Sequence, residues 1–492
     1  MKFKTLYILM LFISPCSQSF SSDDKHELVD LSQVIPKYRE SLAALPVDYS
    51  LLEEKILTGT MLKRYKLNSQ SWTLQGNVSP ERWQHEVDIY IPDSARDKNA
   101  LVVINSGSND DGTGNPVAPN NFTQDQLVQI ATATKTIVIS VSNVPNQKLT
   151  YQGATEPLAE DNSVAWSWKL FMNDTQKYQN ASLHIPMSAA VSQALRLAKT
   201  ELAPQKITQF IVTGASKRGW AAWLTALSDP DVVAIVPFAM DLLGTQESLK
   251  HMYHSYGNNW PIAFHPYYQQ EIDKQIATDA FSSLMKIEDP LSYLSGDMNS
   301  RLNIEKYIIN ASGDDFYVPD NTRFYYDKLP GPKSLRVVEN STHHGILSVT
   351  VPSLITFINR YQEQKKLPEI SENIVSDDNK NKTLRVNFSE QPSRVLQWTA
   401  HNPVARDFRF ACDIKYSSTP VTLSDGDKEA IVPLTKPDSG WQATYIEATF
   451  SDGYVATSQV YIMPDEYPEI APPSKGPACK TLPGRGLIPH TP

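Results

Sequence analysis

The stretch Phe210–Trp220, FIVTGASKRGW, decides how the rest of the chain reads. The apolar run Ile207–Thr213 ends in Gly214-Ala215-Ser216, and a helical pattern opens at Lys217. A serine on a sharp turn from strand to helix has the form of a nucleophile elbow, which lifts Oγ above the sheet edge. The helix behind it aims N–H groups at developing negative charge. A serine that only caps a helix is the commoner meaning of a bare Gly-x-Ser. Gly214, Ala215 and Gly219 are small enough for strand and helix to approach closely, although the second glycine comes one position later than in Gly-x-Ser-x-Gly. Lys217 and Arg218 stand where a helix dipole disfavours cations by about 0.3–1 kcal/mol each when exposed. Something must compensate. Arg218 is expected to support the turn through a bidentate bond to a carboxylate, near the strand end at Asp241. For Lys217, a surface pairing that leaves only its backbone N–H in play and a grip on an anionic substrate are both open.

Working outward, short continuous apolar runs recur at Ala100–Asn105, Thr136–Ser142, Val232–Phe238 and Lys306–Ala311, with a weaker one at Ser334–Asn340. Such runs fit strands buried on both faces of a parallel sheet. Helical periodicity lies between them, at Ile185–Leu202, Lys217–Leu227 and Ile346–Tyr361. Alternation of this kind predicts an α/β class chain with a mostly parallel sheet flanked by helices, the α/β-hydrolase fold, over about 22–370. The aromatic-rich segment at about 241–303 breaks the alternation and is expected to cap the strand ends. Residues 23–75 are mixed and say little. From about 371 to 464 only short strands with turn residues remain, which predicts a C-terminal β-sandwich domain. The Pro-rich tail 465–492 is expected to run along the surface.

In this chain order an orienting acid and a histidine base belong downstream of the serine. YIINASGDDFYVPD places Asp314 and Asp315 just past a strand end, and the spacing to Val318-Pro319 favours Asp315. Asp241 is a third candidate for the acid. LRVVENSTHHGI offers His343 and His344, with His343 preferred as the base. The oxyanion hole is expected from the backbone N–H of Lys217 and from the loop Ser106–Ser108, with Ser108 as the second donor. A loop aspartate or histidine is by itself more often a cap or a surface residue. Trp166 and Trp168 are expected in the core rather than on the rim of a site.

The 492 residues are 41% hydrophobic and 20% charged, with a net charge of −9. No basic stripe appears, so a nucleic-acid partner is not expected. No Cys-x-x-Cys, His-Glu-x-x-His or phosphate-loop pattern occurs, and GSNDDGTGN does not match a calcium loop. Neither a metal nor an organic cofactor is therefore expected. Lys2 and Lys4, the apolar run Leu6–Ile13 and the small residues up to Ser22 read as an export signal over 1–21. Lipid attachment at Cys16 is the alternative, against which Pro15 counts. No later stretch approaches a membrane span. Cys412 and Cys479 remain after cleavage, and in an oxidising compartment they are expected to pair.

Together EDNSVAWSWKLFM, LHIPMSAAVSQAL, VTGASKRGW, VPFAMDLL, ASGDDFYVPD, VVENSTHH and NPVARDFRF resemble the PhoPQ-activated pathogenicity-related protein family, from about Tyr38 to Met463. The resemblance implies an exported or secreted α/β-hydrolase-like protein with Ser216 at the nucleophile position and His343 at the base position. It also makes the late glycine part of a family pattern. The family's name reports regulation and virulence, not a reaction. The expected activity is that of an exported serine hydrolase acting on a small-molecule or peptide substrate. A peptidase and a catalytically silent binding protein on the same scaffold are the rivals.

Overall fold

Runs of Val, Ile and Leu too short for helices build the centre of one sheet. The computed structural model describes residues 30–377, 381–423 and 426–487. Among these, nine strands form a single sheet: β1 (Asp48–Leu57), β2 (Thr60–Ser71), β3 (Arg82–Pro92), β4 (Asn99–Ile104), β5 (Ile137–Val141), β6 (Gln209–Ala215), β7 (Val232–Phe238), β8 (Glu305–Ala311) and β9 (Lys333–Val338), in the spatial order β1-β2-β3-β5-β4-β6-β7-β8-β9. The first three are antiparallel and β5 joins them antiparallel to β3, while β5, β4 and β6–β9 run parallel. All six residues of β4 are buried, as a strand covered on both faces requires.

The helices are α1 (Val34–Ala43), α2 (Gln124–Thr134), α3 (Glu160–Asn173), α4 (His184–Glu201), α5 (Lys217–Ser228), α6 (Thr245–Ser255), α7 (His265–Gln269), α8 (Asp279–Glu288) and α9 (Thr350–Gln362). Alternate residues of β4 divide between two cores. Val102 and Ile104 join Val164, Leu195 and Trp223 of α3, α4 and α5, whereas Leu101 and Val103 join Ile130 of α2 and Phe357 of α9. This is the α/β-hydrolase fold. The parallel strands and the helices α4, α5 and α9 lie within a few residues of where periodicity placed them. The β1–β2 hairpin was not legible, because most residues of β1 are exposed and its sequence DYSLLEEKIL carries no alternation.

α6, α7 and α8 lie between β7 and β8, in the segment expected to cap the strands. Beyond α9, strands Ile370–Ser376, Lys382–Phe388 and Glu429–Leu434 form one antiparallel sheet, and Arg394–Asn402, Ser417–Pro420, Trp441–Thr449, Val455–Thr457 and Tyr461–Met463 form a second. Val386 and Val432 of the first share a core with Val395 and Ile446 of the second and with Leu354 and Phe357 of α9. The hydrolase part and these two sheets belong to one unit that begins at Leu31. The tail is fastened rather than loose: Thr481–Pro483 pairs with Asn259–Pro261, and Cys479 is disulfide-bonded to Cys412. The expected leader 1–21 and the lipid alternative at Cys16 lie outside the described residues. Among the described residues, no helix is long and apolar enough to cross a membrane.

Candidate active site

β6 runs straight into α5, and the residue at the corner is Ser216. Its backbone has φ 57° and ψ −126°, a left-handed conformation that a non-glycine residue adopts only when its surroundings impose it. The glycines show what imposes it. A Cβ on Gly214 would lie 2.6 Å from the carbonyl oxygen of Arg218, and a Cβ on Gly219 would lie 3.2 Å from the carbonyl oxygen of Phe238 on β7. The helix thus packs back on its own strand at both glycines, since a Cβ on Gly219 would also lie 3.1 Å from the Gly214 carbonyl oxygen, and at Gly219 it meets the neighbouring strand as well. The late glycine serves that second contact. Lys217 opens α5, so its N–H has no carbonyl one turn back within the helix.

His343 follows β9 in a loop and is 4% exposed. Its Nδ1 lies 2.9 Å from Oδ2 and 3.1 Å from Oδ1 of Asp314, which directly follows the Ser312-Gly313 turn after β8. Oδ1 of Asp314 also accepts from the N–H groups of Phe316 (2.7 Å) and Tyr317 (3.2 Å), which fixes the carboxylate. Burial alone would lower the His343 pKa. The Asp314 charge and hydrogen bond outweigh it, so the net shift is upward from 6.5. The loop 410–416 braces both partners: the Phe410 N–H donates to the Gly313 carbonyl, and Asn340 exchanges hydrogen bonds with the backbone of Tyr416.

The structure therefore puts Asp314 against His343, where spacing had favoured Asp315. The Asp315 carboxylate does not reach the imidazole ring, and its Oδ1 is buried with no hydrogen-bond partner. Burial, and after it the neighbouring Asp314 charge, pushes its pKa up. Asp241 is also elsewhere. Its Oδ1 accepts from the Tyr325 hydroxyl at 2.6 Å, and burial holds it well above the usual carboxylate range. Ser108 does not line the site, and its N–H is already spent on the Val117 carbonyl (3.1 Å). Its hydroxyl donates to the Gln147 carbonyl. Ser106 from the same loop does reach the site, but its N–H donates to Asn105 Oδ1.

Ser216, His343 and Lys217 line one cavity of about 360 Å³, together with Asn120, Asn121 and the exposed His344. No direct hydrogen bond joins Ser216 to His343; such bonds tighten when substrate is in place. His344 has its pKa lowered, by partial burial first and then by the charge of His343. Among the described residues, no group of three or more His, Cys, Asp and Glu side chains is arranged to hold a metal ion.

The cations at the helix start are compensated from α3. Arg218 reaches Glu160 with Nη2 at 2.6 Å and Nη1 at 3.4 Å, and its Nε donates to the Val144 carbonyl at 2.6 Å. The bidentate carboxylate anticipated for Arg218 thus exists, on Glu160 and not at the Asp241 strand end. Lys217 does not turn away: its Nζ lies 2.7 Å from Glu160 and 3.2 Å from Asp161, and its side chain is buried. Burial opposes the ionisation of Glu160, but Lys217 and Arg218 prevail and hold its carboxyl far below the usual range. For Lys217 burial acts downward and Asp161 and Glu160 act upward, with a net rise. Glu160 is itself clamped, exchanging hydrogen bonds with Gln147 and sitting at φ 51°. Sequence reasoning missed Glu160 and Asp161. Two acids at a helix start are ordinary dipole partners, so nothing local distinguished them.

A family model described as PhoPQ-activated pathogenicity-related protein matches residues 35–409. The autocrine proliferation repressor protein A of Dictyostelium discoideum is 28% identical over 448 residues, covering 85% of this chain and 87% of that protein. Among solved structures, an acetyl xylan esterase from Paenibacillus sp. R4 gives a TM-score of 0.47 at 14% identity, over 69% of this chain and 95% of that one. Acetyl xylan esterase 1 from Thermoanaerobacterium gives 0.43 at 12% identity, over 65% and 94%.

Proposed function

From the premise that this chain belongs to the PhoPQ-activated pathogenicity-related protein family, we propose that it is an exported serine hydrolase cleaving an ester or amide. The observation that carries this reading is the strained Ser216 turn opening onto the same cavity as His343, whose ring Asp314 holds from behind. Ser216 Oγ attacks the carbonyl carbon. His343 Nε2 takes the hydroxyl proton and returns it to the leaving group, and water then repeats the sequence on the acyl-enzyme. Asp314 orients the ring and stabilises its charged form, which agrees with the upward shift of His343. The Lys217 N–H faces the oxyanion as it forms, and the Glu160 clamp keeps the helix start in place around it. The Cys412–Cys479 bond supports export, since disulfides persist in oxidising compartments.

The test is labelling of the secreted or periplasmic protein with a fluorophosphonate, read by intact mass. One adduct on Ser216 of a chain lacking its leader is expected, and none on Ser216→Ala. An adduct that persists on Ser216→Ala removes the nucleophile assignment. A labelled chain that still begins at Met1 removes export.

A further inference from the structure

A second, smaller cavity adjoins the first. Both are lined by Ser216, Lys217, Asp161 and Phe316, so they meet at the candidate nucleophile. Beyond that junction they differ in size and chemistry. The larger is walled by Asn120, Asn121 and Glu160, whereas the smaller is walled by Trp168, Trp220, Leu249, Met252 and Phe264. The smaller holds about 30 Å³ of free space against about 360 Å³. That is room for about two water-sized groups.

The two sides are not interchangeable, because His343 lines the larger cavity and not the smaller. In acyl transfer the histidine that deprotonates the serine must hand that proton to the departing group. The leaving group therefore belongs on the His343 side, where Asn120, Asn121 and His344 stand beside Ala239 and Leu347. The acyl group is left with the aromatic side. We propose that this narrow pocket sets the substrate class: esters of a short acyl chain, about two to four carbons, with a polar alcohol. The proposal rests on the serine hydrolase reading and adds to it the direction in which substrate lies. In the step itself, the Ser216 Oγ–carbon bond forms and the bond from that carbon to the alcohol oxygen breaks. The serine proton passes through His343 to that oxygen.

The pocket walls are held too firmly to widen for a longer chain. Trp220 donates its indole N–H to the Glu288 carbonyl at 2.6 Å and stacks on His184 at 4.8 Å. Trp168 packs edge-on against Trp220 at 5.6 Å. On the far side Phe264 is stacked between Trp260 (4.5 Å) and Tyr267 (5.1 Å). Leu249 and Met252, 1% and 2% exposed, close the pocket from α6. Interiors packed in this way resist extra methylenes, because the walls must leave their preferred rotamers to admit them.

The test uses three ethyl alkylphosphonofluoridates whose phosphorus carries a methyl, butyl or octyl group. Each forms a Ser216 Oγ–P bond as fluoride leaves and the hydroxyl proton passes to His343, so no turnover substrate is needed. Labelling by the methyl probe is expected to exceed that by the octyl probe about 100-fold. Leu249→Ala and Met252→Ala, tested separately, should each raise the octyl-to-methyl rate ratio about tenfold. Equal rates with all three probes on the unaltered protein overturn the pocket assignment while leaving Ser216 as the nucleophile. So does a ratio unmoved in both variants. No adduct from any probe is a different failure, that of the hydrolase reading itself, and the pocket proposal falls with it.

Discussion

Ser216, His343 and Asp314 have near-duplicates about one helix away, in Ser182, His184 and Glu288. His184 Nδ1 lies 2.7 Å from Glu288 Oε2, as short as any contact His343 makes with Asp314. In composition the second set matches the first. The wiring differs. The Ser182 hydroxyl donates to Glu288 rather than facing a histidine, and His184 Nε2 is buried with no hydrogen-bond partner. All three side chains are sealed at 0% exposure, beneath the Trp220 that His184 stacks on. Ser182 precedes α4 in an ordinary helical approach, whereas Ser216 is held at positive φ at the mouth of a cavity. Residue types do not separate the two sets, whereas backbone strain and access do. The buried set touches the aromatic wall, where His184 stacks on Trp220 and the Glu288 carbonyl accepts from its indole N–H.

The largest effect expected from this contrast is on turnover. Asp314→Asn should lower kcat/KM on an activated ester by a factor on the order of 10⁴, as loss of the orienting acid does elsewhere. Asp315→Asn should change it by less than about tenfold, since its carboxylate does not touch the ring. Steady-state kinetics on both variants decide the matter, and a crippled Asp315→Asn beside an active Asp314→Asn would reverse the assignment.

Next in size is a stability effect without a chemical one. Glu288→Ala strips the partners from His184 and Ser182 in a sealed interior and should cost about 3–5 kcal/mol of unfolding free energy. Below its melting temperature the variant should still take a fluorophosphonate on Ser216. Urea unfolding combined with intact mass checks both halves. Wild-type stability would show that the buried set braces nothing, and lost labelling in a folded variant would show that it does more than brace.

The smallest effect is a pH shift. The folded-state pKa of His343 is raised above 6.5, and the ring must be neutral to accept the serine proton. Activity should therefore fall as pH drops, with the acid-side inflection of kcat/KM above 6.5. Lys217 lowers the His343 pKa by its charge, so Lys217→Met should move that inflection to higher pH. The stability carried by the protonated His343–Asp314 pair has the opposite sense: it is complete below 6.5 and is lost as pH rises through the raised value. An inflection below 6.5 in the pH–rate profile would contradict the pairing.

How much of this could be read along the chain follows from the range over which each feature is encoded. Burial on both faces of a strand shows up in consecutive residues, so Ala100–Asn105 and Val232–Phe238 announced themselves. One-sided burial of a helix shows up every three or four residues, as in α9, where Leu354, Phe357 and Ile358 are buried. The Gly-Ala-Ser corner is likewise visible in one dimension, as are two acids after one strand and two histidines after the next. The choice between Asp314 and Asp315 was not, because neighbouring residues in a turn point in different directions and spacing cannot say which faces a ring 29 residues away. Nor could Glu160 be named as the partner of Arg218, 58 residues distant, or the Ser108 N–H be known to be taken by Val117. Local periodicity determined the parallel strands, the helices α4, α5 and α9, and the serine at the corner. Which charges meet, which donors are free and which of two serine–histidine–carboxylate sets opens to solvent were decided by the tertiary structure, because those contacts join segments that only the folded sheet brings together.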